Sequence, residues 1–397
     1  MKLIYLCILF LFIPLLFSCQ SNTFQNTNLI EYPQELINTF YLDHKFAKPS
    51  SFVIESEKEI FMLDAEMIAM VDNKLKKSYS QEKKARVLLH YIFSQDNIDL
   101  SYTSNANVIA KDVFHSKTAN CLSLTIMAYA LAKEANLNVA FQQVDVPEYW
   151  VRNGKYNLLT GHINLLIKTK NQFDQVKVYG TNNLEVDFDP YVRKESFSKR
   201  IISKNEVLAM FYNNKGGQAL VGGNYTIAFQ YFKKATQVHP TFSSAWGNLA
   251  VLYKLTNNDQ TAESTYRYAI ALKPDNYTAL ANLAILLRNK GSSEEANTIE
   301  NKLQAKRNKN PYYHAVLADE AYYLHNYQQA ITHYKKAIKL NNKIHELYFG
   351  LAKVYYQMNK ITAAKKAMKM ALRLNKVKST ESQYIAKLNF LNAAQLN

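Results

Sequence analysis

Apolar positions along this chain change their period more than once. Over 64–77 and over 81–94 ("QEKKARVLLHYIFS") they recur at helical spacing, after an extended-looking piece at roughly 50–63. The stretch "NIDLSYTSNANVIAKDVF" (97–114) lacks such a period and reads as mostly loop. From 121 to 135 the helical spacing returns, with Leu122, Thr125, Ile126, Tyr129, Ala130 and Ala132 in phase. Short runs follow: "NVAFQQV" (138–144), "GHINLLI" (161–167), "QVKVYG" (175–180) and "NLEVDF" (183–188). Turn residues separate them, which predicts antiparallel strands behind a helix and an α+β unit over 50–205.

From about 209 one long period takes over. Ala228, Ala262, Ala296, Ala330 and Ala364 stand 34 residues apart. Ala235, Ala269, Leu303, Ala337 and Ala371 follow seven residues later, with Phe232, Tyr266, Tyr334 and Met368 between. One copy, "AWGNLAVLYKLTNNDQTAESTYRYAIALKP", carries Trp246, Leu249, Ala250, Tyr253, Ala262, Tyr266, Ala269 and Pro274. This pattern resembles the tetratricopeptide repeat, a pair of antiparallel helices in which small residues sit where the helices cross closely. Five copies are expected, at 209–242, 243–276, 277–310, 311–344 and 345–378, forming an all-α solenoid over 209–378 with a capping helix at 379–397. The first is degenerate: Lys215 and Gly216 fall where apolar and small residues belong.

The amino-terminal "MKLIYLCILFLFIPLLFSCQ" has one Lys and then about fifteen apolar residues, signal-peptide length and short for a membrane span. Its Leu16-Phe17-Ser18-Cys19 resembles a bacterial lipobox, although Phe17 is larger than is usual there. That resemblance implies a lipoprotein signal peptide at 1–18, a lipid on Cys19 and a membrane tether at 19–49, which begins with the polar "QSNTFQNTN". Gln20 is not the Asp associated with inner-membrane retention, so the expected destination is the outer membrane, facing the periplasm. Of three cysteines, Cys7 would leave with the signal and Cys19 would carry lipid. Cys121 would then be the only free thiol of the mature chain, with no partner for an internal disulfide. The net charge of +16 favours anionic surfaces, and an exported chain meets membrane and envelope polymers rather than nucleic acid. At 48% hydrophobic residues, with ten Gly and eight Pro, the composition supports packed cores and excludes a low-complexity chain.

Cys121 opens a predicted helix, where the N-terminal dipole favours thiolate. His162 and Asn164 share one face of the "GHINLLI" strand, with Ile163, Leu165 and Ile167 on the other, so the His is expected to face a cleft. In "VDFDP" the same alternation puts Asp187 and Asp189 on one face. A nucleophilic thiol needs a base, and the base an orienting group.

The segments "NCLSLTIMAYALAKEANLNVAFQQV", "GHINLLI" and "VDFDPY" resemble, in that order, the transglutaminase-like (papain-like) domain that precedes tetratricopeptide repeats in some bacterial envelope proteins. The resemblance covers about 50–205. It implies Cys121 as nucleophile, His162 as base and acid, and Asp187 or, directly before Pro190, Asp189 as orienter. Gln142, Gln143, Glu148 and Trp150 in "FQQVDVPEYW" are candidates for lining the cleft, together with Asn164. No cofactor is expected: there is no Gly-rich phosphate loop, and His115, His239, His314, His325, His333 and His345 show no metal-ligand spacing. Lysine runs such as "KKAIKLNNK" fall on second helices of repeats and read as solvated faces. Two functions follow. One is an envelope-anchored cysteine acyl-transfer enzyme whose repeats recruit a protein or peptide. The alternative is a non-catalytic repeat scaffold.

Overall fold

The computed structural model describes residues 33–77, 80–93, 101–102, 106–153, 156–168, 183–188, 197–375 and 378–393. The expected lipidation site Cys19, the alternative acid Asp189 and the predicted strand at 175–180 lie outside these residues.

A short helix, α1 (Gln34–Thr39), precedes the α+β unit. That unit starts with α2 (Glu57–Ile60), where Ser56 and Glu59 form a reciprocal capping box. Next come α3 (Ala65–Lys74), capped by the Asp64 carboxylate on the Met67 N–H at 3.0 Å, and α4 (Gln81–Phe93). A two-residue strand β1 (Ser101–Tyr102), α5 (Ala110–Ser116) and strand β2 (Thr118–Ala119) lead into α6 (Cys121–Glu134). The loop expected at 97–114 is thus helical from Ala110 onward. Its burial of Ala110, Val113 and Phe114 needs only two turns, too few to register as a period.

Helix α6 is apolar nearly all round, and ten of its fourteen residues are buried, so it must run through the interior. It packs on a four-stranded antiparallel sheet of order β5 (Leu184–Val186), β4 (Tyr156–Ile167), β3 (Val139–Asn153), β6 (Lys199–Ile202). The register pairs Ile202, Phe141, Leu165 and Val186 in one row across all four strands. This row, with Ile163 and Ile167, joins Ile126, Met127 and Leu131 of α6 in a single core. Each such side chain, fully buried, contributes about 1.5–3 kcal/mol. The stretch expected to end as a strand at 144 continues through a bulge between Val144 and Tyr149 as far as Asn153.

The solenoid follows as helix pairs: α7 (Lys204–Val221) with α8 (Tyr225–Val238), α9 (Ser243–Leu255) with α10 (Asp259–Leu272), and α11 (Tyr277–Asn289) with α12 (Ser293–Arg307). Then come α13 (Pro311–Tyr323) with α14 (Tyr327–Leu340), and α15 (His345–Gln357) with α16 (Ile361–Leu374), closed by α17 (Lys378–Ala393). The alanines at the 34-residue period are fully buried in every repeat. Gly350 shows why small residues recur at the crossings: a methyl group there would overlap the Tyr334 ring. That ring is 2% exposed and its hydroxyl donates to Asp319 at 2.7 Å, so it has nowhere to swing. Gly350→Ala is expected to cost about 1–3 kcal/mol in urea unfolding. Gly217→Ala meets nothing within 4 Å and is expected to be neutral or slightly stabilising.

The first repeat departs from the pattern because it belongs to both units. Val207, Leu208, Phe211 and Tyr212 of α7 lie in the core of the α+β unit. Lys215 reaches Glu55 at 2.9 Å, and Tyr231 of α8 donates to the same carboxylate at 2.8 Å. Burial raises the Glu55 carboxyl, but hydrogen bonds from Lys215, its own backbone and Tyr231 outweigh that and set it below its ordinary value. Burial pushes the neighbouring Tyr212 phenol up to about 12.

The tether expected at 19–49 is, in its described part, a docked segment. Phe46 stacks on Phe229 at 4.9 Å and Tyr41 on Trp246 at 5.6 Å. Gln230 donates to the Phe46 carbonyl at 2.8 Å, Tyr253 to the Phe40 carbonyl, and Lys233 pairs with Asp43 at 2.6 Å.

Candidate functional site

Asn120 sets the start of the Cys121 helix. Its side chain accepts from the Ser123 N–H at 2.9 Å, the N-cap bond, so Cys121 is the first helical residue. The Asn120 amide in turn donates to Asn107 at 3.4 Å, and Asn107 donates to the Phe211 carbonyl in α7 at 3.1 Å. Residues 106–108 are stitched to the same turn, with the Val108 N–H donating to Ser123 at 2.9 Å. Asn107 and Asn120 were not among the sequence candidates. An Asn directly before the helix was the available signal for Asn120, whereas Asn107 has no local pattern.

On the sheet, Gln142 of β3 lies opposite Asn164 of β4, in the row behind the core row. Asp187, just past β5, completes it. Asn164 donates to an Asp187 oxygen at 3.1 Å, and His162 Nε2 lies 2.9 and 3.0 Å from the two carboxylate oxygens. An ionised carboxylate only accepts, so Nε2 carries the proton and Nδ1 the lone pair. The His is not presented to an open cleft as expected: His162 is 5% exposed, Asp187 4% and Asn164 0%. Two amide oxygens in this row, Gln142 Oε1 and Asn164 Oδ1, are buried without a donor.

Helix and sheet meet beside this pair. The Thr125 hydroxyl, one turn into α6, donates to the Cys121 carbonyl at 2.7 Å and lies 3.5 Å from the Ile163 carbonyl. Among the described residues, strand β5 pairs with 165–167 of β4 and stops short of His162 and Ile163. Cys121 itself is a partly exposed thiol outside any disulfide. The N-terminal turn of α6 and the His162–Asp187–Asn164 set are therefore neighbours, held by separate elements.

The other cleft candidates have different surroundings. Gln143 accepts from Arg200 of β6. Glu148 turns toward the solenoid, where Arg307 of α12 grips its carboxylate at 3.2 and 3.3 Å. Asn310, the cap of α13, donates to the Glu148 backbone carbonyl at 2.7 Å. Trp150 pairs through its backbone with Leu159, and its side chain is outside the described residues.

Comparison with known proteins concerns the repeats. Models described as "Tetratricopeptide repeat" match 243–276, 345–377 and 260–320, and one described as "TPR repeat" matches 318–359. The human Protein O-mannosyl-transferase TMTC3 is 27% identical over 190 residues, 44% of this chain and 20% of that protein. The uncharacterized protein ycf37 of Cyanophora paradoxa is 29% identical over 124 residues, 28% of this chain and 72% of that protein. The chain spans about one-fifth of the length of the first curated relatives it matches. A thermophilic TPR protein of Thermus thermophilus is 18% identical with a TM-score of 0.31, covering 47% of this chain and 99% of its own. Pseudomonas aeruginosa pilF is 18% identical with a TM-score of 0.29, covering 48% and 90%. The carboxy-terminal region of the chain, 243–377, is a run of tetratricopeptide repeats.

Proposed function

We propose that the chain is a protein-interaction scaffold in which the repeat solenoid captures an extended peptide or a helix of a partner. The observation that carries this reading is the stack of helix pairs, which leaves several apolar side chains in water. Ile285 in α11 is 54% exposed, Tyr323 at the end of α13 is 54% and Leu324 after it 71%. Stacked helical repeats present the extended surface on which such solenoids bind partners, and these side chains offer apolar contacts on it. Panning a peptide library against the full chain tests it. Recovered peptides should lose at least tenfold in affinity for Ile285→Arg and none for Cys121→Ser. An empty selection, or peptides indifferent to Ile285→Arg, would refute the reading.

A second reading, a transglutaminase-like cysteine acyl-transfer enzyme, is favoured by a different observation: the buried His162 whose Nε2 is engaged by Asp187. That engagement leaves Nδ1 to take the proton of the Cys121 thiol. The thiolate sulfur would attack an amide carbonyl carbon, with the developing oxyanion received by the Cys121 N–H. His162 then gives the proton to the leaving amine, and a thioester remains. Water or a second amine attacks it, passing a proton back to the sulfur through His162.

Anchoring is part of the proposal. A lipid on Cys19 would hold the protein at the outer membrane, facing the periplasm, with no role for nucleic acid. Only about 14 residues separate Cys19 from the docked segment, a reach of at most about 50 Å. The solenoid would then work close to the membrane surface.

A further inference from the structure

We propose that His314 and His333 form the protein half of a binding site for a divalent transition metal of the imidazole-seeking kind, Zn2+, Ni2+ or Cu2+. The two side chains come from the facing helices α13 and α14 of the fourth repeat, 19 positions apart, so no local sequence spacing marks them.

His314 is 2% exposed, and its Nε2 lies 3.0 Å from the Asn308 carbonyl oxygen. A carbonyl only accepts, so Nε2 carries the proton and Nδ1 a lone pair. That Nδ1 is buried and makes no hydrogen bond, and the same is true of Nδ1 on His333. The anchoring of one ring nitrogen by a backbone carbonyl while the other is left free is how proteins orient a metal-binding imidazole.

The ring geometry fits a shared ion. With metal–nitrogen bonds of about 2.0–2.1 Å, two imidazoles on one ion have centroids about 5–6.5 Å apart, from tetrahedral to linear arrangements. The observed separation is 5.9 Å with ring planes 15° apart. Burial sets both imidazoles below the ordinary histidine range; at His314 the hydrogen bond to the Asn308 carbonyl opposes this and the Lys336 ammonium adds to it, while at His333 the His314 ring and Lys336 both add. Lys336 is exposed, so solvent screens its repulsion of the ion. Among the described residues no third His, Cys, Asp or Glu completes the set. The remaining positions fall to water, which enters beside the partly exposed His333.

The test uses untagged full-length protein stripped with a chelator, then titrated with Zn2+ against a chromophoric competitor. One ion per chain is expected. His314→Gln and His333→Gln should each weaken binding at least tenfold, while Cys121→Ser leaves it unchanged. Binding equal in wild type and the double variant overturns the proposal, as does loss in Cys121→Ser. Should the variants misfold by circular dichroism, X-ray absorption of the zinc-loaded wild type decides. Two imidazoles on the ion are expected, and fewer than two overturn the site.

Discussion

Replacing Asp187 with Asn is expected to slow alkylation of Cys121 by iodoacetamide at pH 6.5 by tenfold to a hundredfold. The reasoning starts from the thiolate, which is the nucleophile: an unassisted thiol with a pKa near 8.5 is only about 1% ionised at that pH. A thiol that delivers its proton to His162 escapes this limit, which bounds the advantage that can be lost at about a hundredfold. In the acyl-transfer reading Asp187 would secure the advantage: it accepts from Nε2 with both oxygens, at 2.9 and 3.0 Å, which would keep Nδ1 as the proton acceptor. An Asn in its place can present its amide N–H to Nε2, moving the ring proton to Nδ1 and removing the base. His162→Ala should lose as much. Asn164→Ala, which withdraws one donor from the carboxylate, should lose less. The rate is read by mass spectrometry of the Cys121 peptide over time, with circular dichroism as the control for folding. If all three variants react within twofold of the wild type, the acyl-transfer reading falls and the scaffold reading stands alone.

How much of this was legible in the sequence depended on the range of each interaction. The repeats were legible because each alanine packs against helices a few dozen residues away, and the contact recurs at a fixed interval. The common face of His162 and Asn164, and the outward face of Asp187, followed from strand parity alone. The register that sets Gln142 opposite Asn164 did not. Burial of that face did not, because alternation says which side a residue is on and not what lies over it. Strand β6 escaped notice since "KRII" is half charged, and it is a strand only because β3 lies beside it. Glu148 looked like a cleft residue because its partners, Arg307 and Asn310, are about 160 positions away. Lys215 looked like an error in a repeat until Glu55 was found opposite.

The docked amino-terminal segment was the least legible feature, and its removal carries the second large effect. Phe46→Ala is expected to cost about 3–5 kcal/mol, the usual loss for a buried phenylalanine. The side chain is 5% exposed, stacks on Phe229, and sits at 6.2 Å from the Tyr253 ring. If the chain of 397 residues unfolds as one unit, that loss lowers the melting temperature by about 4–6 °C. A smaller shift has a definite meaning. The segment can undock before the repeats unfold, so the observed loss cannot exceed the free energy of docking itself. Comparing Phe46→Ala with deletion of residues 33–49 separates the two cases. Equal shifts mean that one aromatic holds the whole segment, and a larger shift for the deletion means that Phe40, Tyr41 and the Lys233–Asp43 pair contribute separately. Hydrogen exchange at α8 and α9 should rise in both, because Phe229, Trp246 and Tyr253 lose their cover. Unchanged melting and unchanged exchange in the deletion would show that residues 33–49 are a free leash. In the anchoring proposal, a lipid on Cys19 would then lead to the start of the α+β unit near Ser56 rather than to the first two repeats.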